Sequence, residues 1–167
     1  PPLSNFHSGP SGITHLTGEA IPEEWRNSFL VSNFRASTAR SNILRFKFEE
    51  SGAGFKAIHD QPVVSQLVAS DVNFGYDGKI YIADFGGGWS VNDRGSIQFI
   101  EYPQGTSKTS VQETQKLFAN GFDKVAMPEK LLSHPDMRVR QYAQFDLVKR
   151  GKTELLKQAL KNGTTDV

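Results

Sequence analysis

The sequence predicts a chain of two kinds, mainly β over its first two thirds and α-helical over its last third. Three observations carry this reading. Runs of β-forming residues separated by Gly, Pro and Asn/Asp turns recur up to residue 100. Beyond residue 107 the apolar residues change to helical spacing. The composition changes at the same place: residues 1–107 hold twelve of the fifteen glycines, six of the eight prolines, eight basic and eleven acidic residues, whereas 108–167 hold three, two, eleven and seven. Tyr102 to Ser107 has linker chemistry, so the domains are expected at 1–107 and 108–167.

Along the β region, Ser8 to Gly12 reads as a turn that feeds a short strand, Gly12 to His15; no Gly-Lys-Ser comes after it to make it a phosphate loop. A turn or two of helix is expected around Pro22 to Trp25, then strands at 28–34, 42–48 and 54–59. The second half of the β region repeats the first. Asp71 to Phe74 is a short apolar strand, Tyr76-Asp77-Gly78-Lys79 a turn, 80–85 a strand and 96–100 another. Leu30 to Phe34 aligns with Tyr81 to Phe85 at an offset of 51. Two copies of a three- to four-strand antiparallel unit are the pattern of consecutive propeller blades, with a β-sandwich as the competing reading. A closed propeller needs at least four blades. The expected fold is therefore a partial β-propeller of about two blades, the last ones, followed by a helical segment. Its open strand edges call for the remainder of a longer parent protein, or for another chain, to close the propeller.

In the last third, Val111, Thr114, Leu117 and Phe118 share a stripe that Asn120-Gly121 ends. Pro128 starts a short helix with Leu131 and Leu132 inward, and His134-Pro135-Asp136 breaks and restarts the chain. Val139, Ala143 and Leu147 form the next buried stripe, flanked by Tyr142 and Val148, with Arg138, Arg140 and Gln141 toward water. A final helix turns Leu155, Leu156, Ala159 and Leu160 inward.

Composition removes whole classes of chemistry. Hydrophobic residues make up 37% and charged residues 22%, which reads as globular, and there is no 18-residue apolar run or signal-peptide pattern. The absence of cysteine excludes disulfides, thiolate nucleophiles and covalent c-type haem within these residues. A net charge of +1 offers no field that would attract nucleic acid.

The run Leu131-Leu132-Ser133-His134-Pro135-Asp136-Met137-Arg138-Val139-Arg140 through Ala143 and Leu147 resembles the start of a HEAT repeat. Gly9 to Ile13, Pro22-Glu23, Trp25-Arg26-Asn27 and Phe29 to Val31, followed by Asp71-Val72, Gly75, Asp77-Gly78 and Ile80 to Ile82, resemble the glucose/sorbosone dehydrogenase-like propeller. The order of the two resembles large secreted proteins of planctomycetes and verrucomicrobia, named membrane-bound or sorbosone-like dehydrogenases, in which a c-type haem domain comes next. The resemblance implies a periplasmic or secreted location, a sugar or alcohol substrate oxidised by hydride transfer to a quinone, and pyrroloquinoline quinone (PQQ) and calcium as cofactors in the parent protein. A cytochrome c domain would be a partner. It gives no residue here a catalytic role, because the histidine and most quinone contacts of such enzymes match no position in this chain.

Six residues are the candidates for a site. His7 would stand at the mouth of a propeller channel, or be a turn histidine. Asp71, entering the inner strand of the second copy at a height comparable with Ser11, and Asp84, which matches Asn33 near a strand end, would ligate a cation with nearby carbonyls, or cap turns. Trp89, carried by Gly86-Gly87-Gly88, would reach the open face or pack on a neighbour. Arg35 and Arg94, in equivalent loops with Arg40, would clamp a quinone carboxylate, or be solvated. Two functions compete: the terminal part of a propeller oxidoreductase, and a non-catalytic scaffold binding protein or polysaccharide in a larger assembly.

Overall fold

The computed structural model describes residue 5 and residues 9–87 and 93–162, without the side chains of 59–61. It is mixed β and α. The described residues divide into two compact units: one holds the chain up to Leu16, Glu24–Gly75 and Lys79–Glu101, and the other Thr17–Glu23, Tyr76–Gly78 and the residues from Tyr102 on.

The first unit contains two antiparallel sheets. One runs β1 (Pro10–His15), β2 (Phe29–Asn33), β3 (Asn42–Ser51) and β4 (Gly54–Ser65) in sequence order; the other runs β5 (Ala69–Phe74), β6 (Ile80–Asp84) and β7 (Ser96–Ile100). Each strand pairs with its sequence neighbour, and between β3 and β4 a two-residue turn, Gly52-Ala53, brings the chain directly back. Val72 and Phe74 on β5 and Ile80 and Ile82 on β6 alternate with more exposed residues, whereas β2 buries Leu30, Val31 and Ser32 in succession against Ile43 and Phe46 of β3; each buried apolar side chain contributes roughly 1.5–3 kcal/mol.

The two sheets repeat one register. β2 and β6 correspond residue for residue, and Asn33 and Asp84 occupy equivalent positions opposite Asn42 and Ser96. β1 and β5 each carry a one-residue bulge at their second position, Ser11 and Ser70. The pairing corrects one expectation: Asp71 stands level with Gly12, not with Ser11, because Gly12 pairs with Ser32 and Asp71 with the equivalent Ala83. Further differences lie at strand ends. β4 continues through Pro62, where a proline is tolerated because the strand is at a sheet edge.

β1 and β5 lie side by side and run in the same direction. Ser11 Oγ donates to the Ala69 carbonyl at 3.2 Å, and the Phe74 N–H donates to Thr14 Oγ1 at 3.1 Å. Gly12 makes the approach possible. A Cβ there would fall against Asp71 Oδ1, 2.8 Å from the Asp71 Cα and 3.0 Å from the Val72 nitrogen.

The second unit contains α1 (Pro103–Thr106), α2 (Thr109–Asn120), a 3-10 segment (Pro128–Ser133), α3 (Met137–Lys149) and α4 (Thr153–Lys161). The stretch expected as a linker is thus partly a helical turn, with Pro103 at its first position where the missing N–H costs nothing. Leu131, Leu132, Val139, Ala143 and Leu147 form the core with Phe122. Gly121, at φ 81°, ends α2. Three expectations need correction. Tyr142 and Val148 are about half exposed, Leu160 is 63% exposed, and Arg138 is half-buried against Asp136 instead of facing water.

Replacing Gly12 by Ala is expected to lower stability by about 1–3 kcal/mol, because the methyl has to push β1 and β5 apart. Urea unfolding followed by circular dichroism reads this; an unchanged midpoint would show that the close approach is not needed.

Candidate functional site

Loops after β2 and β6, and the starts of β1, β5 and β7, fall at one end of the strands. Pro10 pairs with Asn33, Ala69 with Asp84, and Asp84 with Ser96, while Phe34 and Phe85 meet edge to face at 5.9 Å. Four of the six candidate residues therefore come to this end: Arg35, Asp71, Asp84 and Arg94. His7 and Trp89 lie outside the described residues.

The two aspartates serve the backbone. Asp84 Oδ1 accepts the N–H groups of Val68 and Gly86, both at 3.1 Å, and its Oδ2 accepts Gln98 Nε2 at 3.0 Å. This is the chemistry of an Asx turn: a short carboxylate supplies acceptors that the chain lacks as it leaves a strand. Gly86, at φ 78°, permits the turn, and the Arg94 carbonyl lies 2.5 Å from where a Cβ would sit. Asp71 Oδ1 accepts the N–H of Val72 at 2.8 Å, and the rest of the side chain is exposed. Arg35 donates its backbone N–H to Ser41 Oγ at 2.9 Å, and the side chains of Arg35 and Arg94 are exposed.

Calcium requires six to eight oxygen ligands. Among the described residues no three His, Asp or Glu side chains gather as a metal would need, and Asp84 already accepts three hydrogen bonds. The donor set here does not fit calcium, and no chemistry is derived through it.

A second concentration of exposed groups lies in the helical unit, built on the His-Pro-Asp break. His134 Nδ1 accepts the Asp136 N–H at 3.0 Å, so the neutral ring carries its proton on Nε2, which faces Glu113 at 3.6 Å. Asp136 caps α3 by accepting the Arg138 N–H at 2.9 Å, and it takes the Arg138 guanidinium in a fork at 3.1 and 2.7 Å. Thr17 Oγ1 accepts the Met137 N–H at 2.9 Å. The anchored guanidinium then lies 4.8 Å from the centre of the Tyr76 ring, and Tyr76 stacks on Phe118 at 3.7 Å.

Phe118, Phe122 and Tyr142 continue this stack. Phe118 meets Phe122 and Tyr142 edge to face at 5.3 and 4.9 Å, and Phe122 and Tyr142 lie stacked at 5.1 Å. With Phe145 they line a groove of about 350 Å³, closed on one side by Asp123 and Lys149, an ion pair at 3.3 Å. Phe145 is 61% exposed. Sequence reading did not single out this groove. The signal was present as two aromatic pairs at helical spacing, Phe118/Phe122 and Tyr142/Phe145, the second of them off the buried stripe of α3.

No protein-family model, curated protein or solved structure matches this chain. Function therefore rests on the residues themselves.

Substituting Asp84 separates its two roles. Asp84→Ala leaves the Val68 and Gly86 N–H groups without their acceptor and is expected to cost about 1–3 kcal/mol in urea unfolding, while Asp84→Asn, which keeps one oxygen, is expected to stay within about 1 kcal/mol of the parent. Equal losses in the two variants would mean that the negative charge, and not the acceptor geometry, is what the position requires.

Proposed function

We propose that this chain is a non-catalytic binding scaffold in which two consecutive blades of a propeller carry a HEAT-like helical segment. Support for the blades comes from the equal register of the two sheets and from the side-by-side, same-direction course of β1 and β5, the geometry of neighbouring innermost strands. Support for the helical part comes from the His-Pro-Asp break followed by α3 and the Val139, Ala143 and Leu147 stripe.

The observation that carries the function is the groove of Phe118, Phe122, Tyr142 and Phe145. Phe118, Phe122 and Tyr142 hold one another by ring contacts, and Tyr142 and Phe145 leave apolar area open to solvent, the composition of a binding hot spot. The occupant that fits is a protein segment that presents an apolar side chain to the rings and a polar or charged neighbour to Asp123 and Lys149.

Oxidation of a sugar or alcohol by a bound quinone, the activity implied by the resemblance to sorbosone dehydrogenase-like propellers, is the second reading. The observation on its side is the meeting of Arg35 and Arg94 with two aspartates at one strand end. A periplasmic or secreted location and a cytochrome c partner belong to that reading. Among the described residues no helix is long and apolar enough to cross a membrane.

Two measurements decide between them. Calorimetric titration with PQQ, with and without calcium, is expected to give no saturable heat. A photoreactive phenylalanine analogue in place of Phe145 is expected to cross-link one defined protein in the native particle, and the same analogue at Gln112, outside the groove, is expected not to. Stoichiometric quinone binding, or indiscriminate cross-linking from both positions, would overturn the scaffold reading.

A further inference from the structure

Among the described residues the first sheet has four strands and the second three. In the repeated register β7 holds the place of β3, and β3 is covered along its length by antiparallel β4. Among the described residues β7 pairs with β6 alone.

Exposed edges are normally blunted by proline, charge or bulges. The outer strand of the first sheet obeys that rule, with Pro62 and two register shifts against β3. The outer strand of the second does not. Ser96-Ile97-Gln98-Phe99-Ile100 contains no proline and no charge, pairs with β6 without a break, and leaves Ile97 71% and Phe99 56% exposed on one face. Beside the strand, Lys79 lies over the Phe99 ring at 4.5 Å and meets Glu101 at 3.4 Å, so its one charged pair sits at the C-terminal end and not within the five residues.

We propose that β7 pairs with β7 of a second copy of this chain, antiparallel about a twofold axis at Gln98, to form a continuous six-stranded sheet. The strand is self-complementary in that register. Ile97 falls opposite the second copy's Phe99, Phe99 opposite its Ile97, and Gln98 opposite its own equivalent. Both apolar contacts are made twice, and no like charges meet: Glu101 falls opposite Gly95 of the second copy. Shifting the register by two residues either way sets Ile97 against Glu101 or Phe99 against Gly95, and a shift of one would put apolar against polar faces. A five-residue pairing buries less than the roughly 1,200 Å² of a standard interface, so the dimer is expected to be concentration-dependent. The strand belongs to the first unit and the aromatic groove to the second, so the test of this pairing does not depend on the groove reading.

The natural absence of cysteine makes the register directly readable. Residues opposite one another in an antiparallel pair have Cα atoms about 4.5–5.5 Å apart, within the range of about 4.4–6.8 Å that a disulfide spans. In the full-length chain, Gln98→Cys is expected to give a dimer of about twice 18.5 kDa under mild oxidation. Ser96→Cys, which faces Ile100 and lies about 14 Å from its own equivalent at ~3.4 Å per residue, is expected to stay monomeric. Sedimentation equilibrium of the unaltered chain is expected to show a monomer–dimer equilibrium that Ile97→Lys abolishes, with circular dichroism checking that the variant is folded. Equal cross-linking of the two cysteine variants, a monomer at every concentration, or an Ile97→Lys chain that is folded and still dimeric would each overturn the proposal, as would capture of the β7 edge by a strand of a different polypeptide.

Discussion

Backbone N–H groups stranded at the ends of strands and helices need acceptors, and in this chain short aspartates supply them at two turns of the path. Asp84 takes two N–H groups where β6 gives way to the loop before β7. Asp136 takes one where α3 begins. An unpaired N–H shut away from water costs about 1–3 kcal/mol, as much as a well-buried side chain contributes, so losing either acceptor would loosen the next segment of chain. The consequences differ. Asp84 is partly exposed, and among the described residues its further partner is a neutral amide, Gln98. Asp136 is 5% exposed, and a carboxylate so buried has to be paired. Arg138 pairs it, and the position of Arg138 then fixes where Tyr76 and the aromatic stack can lie.

This chain of dependence joins a motif to a surface. The His-Pro-Asp break would by itself be only a helix start. Because the capping carboxylate is buried and the arginine two residues on is drawn back to it, the break also orders a cation over a ring, and that ring orders three more. The groove at the end of the series is open because Tyr142 and Phe145 lie off the stripe that packs the core. Exposed aromatic area is costly to leave in water, and the ring contacts of Tyr142 with Phe118 and Phe122 hold part of it in place.

Periodic features were legible in the sequence, and features of backbone geometry were not. The stripes Val111/Thr114 and Val139/Ala143/Leu147 arise from a 3.6-residue repeat, and β2 and β6 from a repeat of β-formers at one offset. The bulges at Ser11 and Ser70 leave no mark in side-chain pattern, and they decide that Gly12 and Asp71 face each other. Arg138 read as solvent-facing because its position on the helix wheel is peripheral; the demand of a buried carboxylate outweighed that preference. Leu160 read as buried because α4 is strongly amphipathic, yet the packing of α4 reaches only Leu155, Leu156 and Ala159. Asp84 was legible as a turn residue or as a ligand, and only the hydrogen bonds around it distinguish the two.

The same logic explains why the strand end, although it gathers Arg35, Asp71, Asp84 and Arg94, is a weak place to look for chemistry. A ligand site needs polar groups whose hydrogen-bonding capacity is held in reserve and aimed at a common point. Here the better-buried carboxylate is committed to Val68, Gly86 and Gln98, and the exposed one to the N–H of its neighbour Val72. Asp84 already uses three of its roughly four acceptor positions, so little of its capacity is held in reserve for a ligand. The aromatic groove and the β7 edge carry no such conflict. The scaffold reading proposed above rests on that difference: a surface whose groups need not be rearranged loses less on binding.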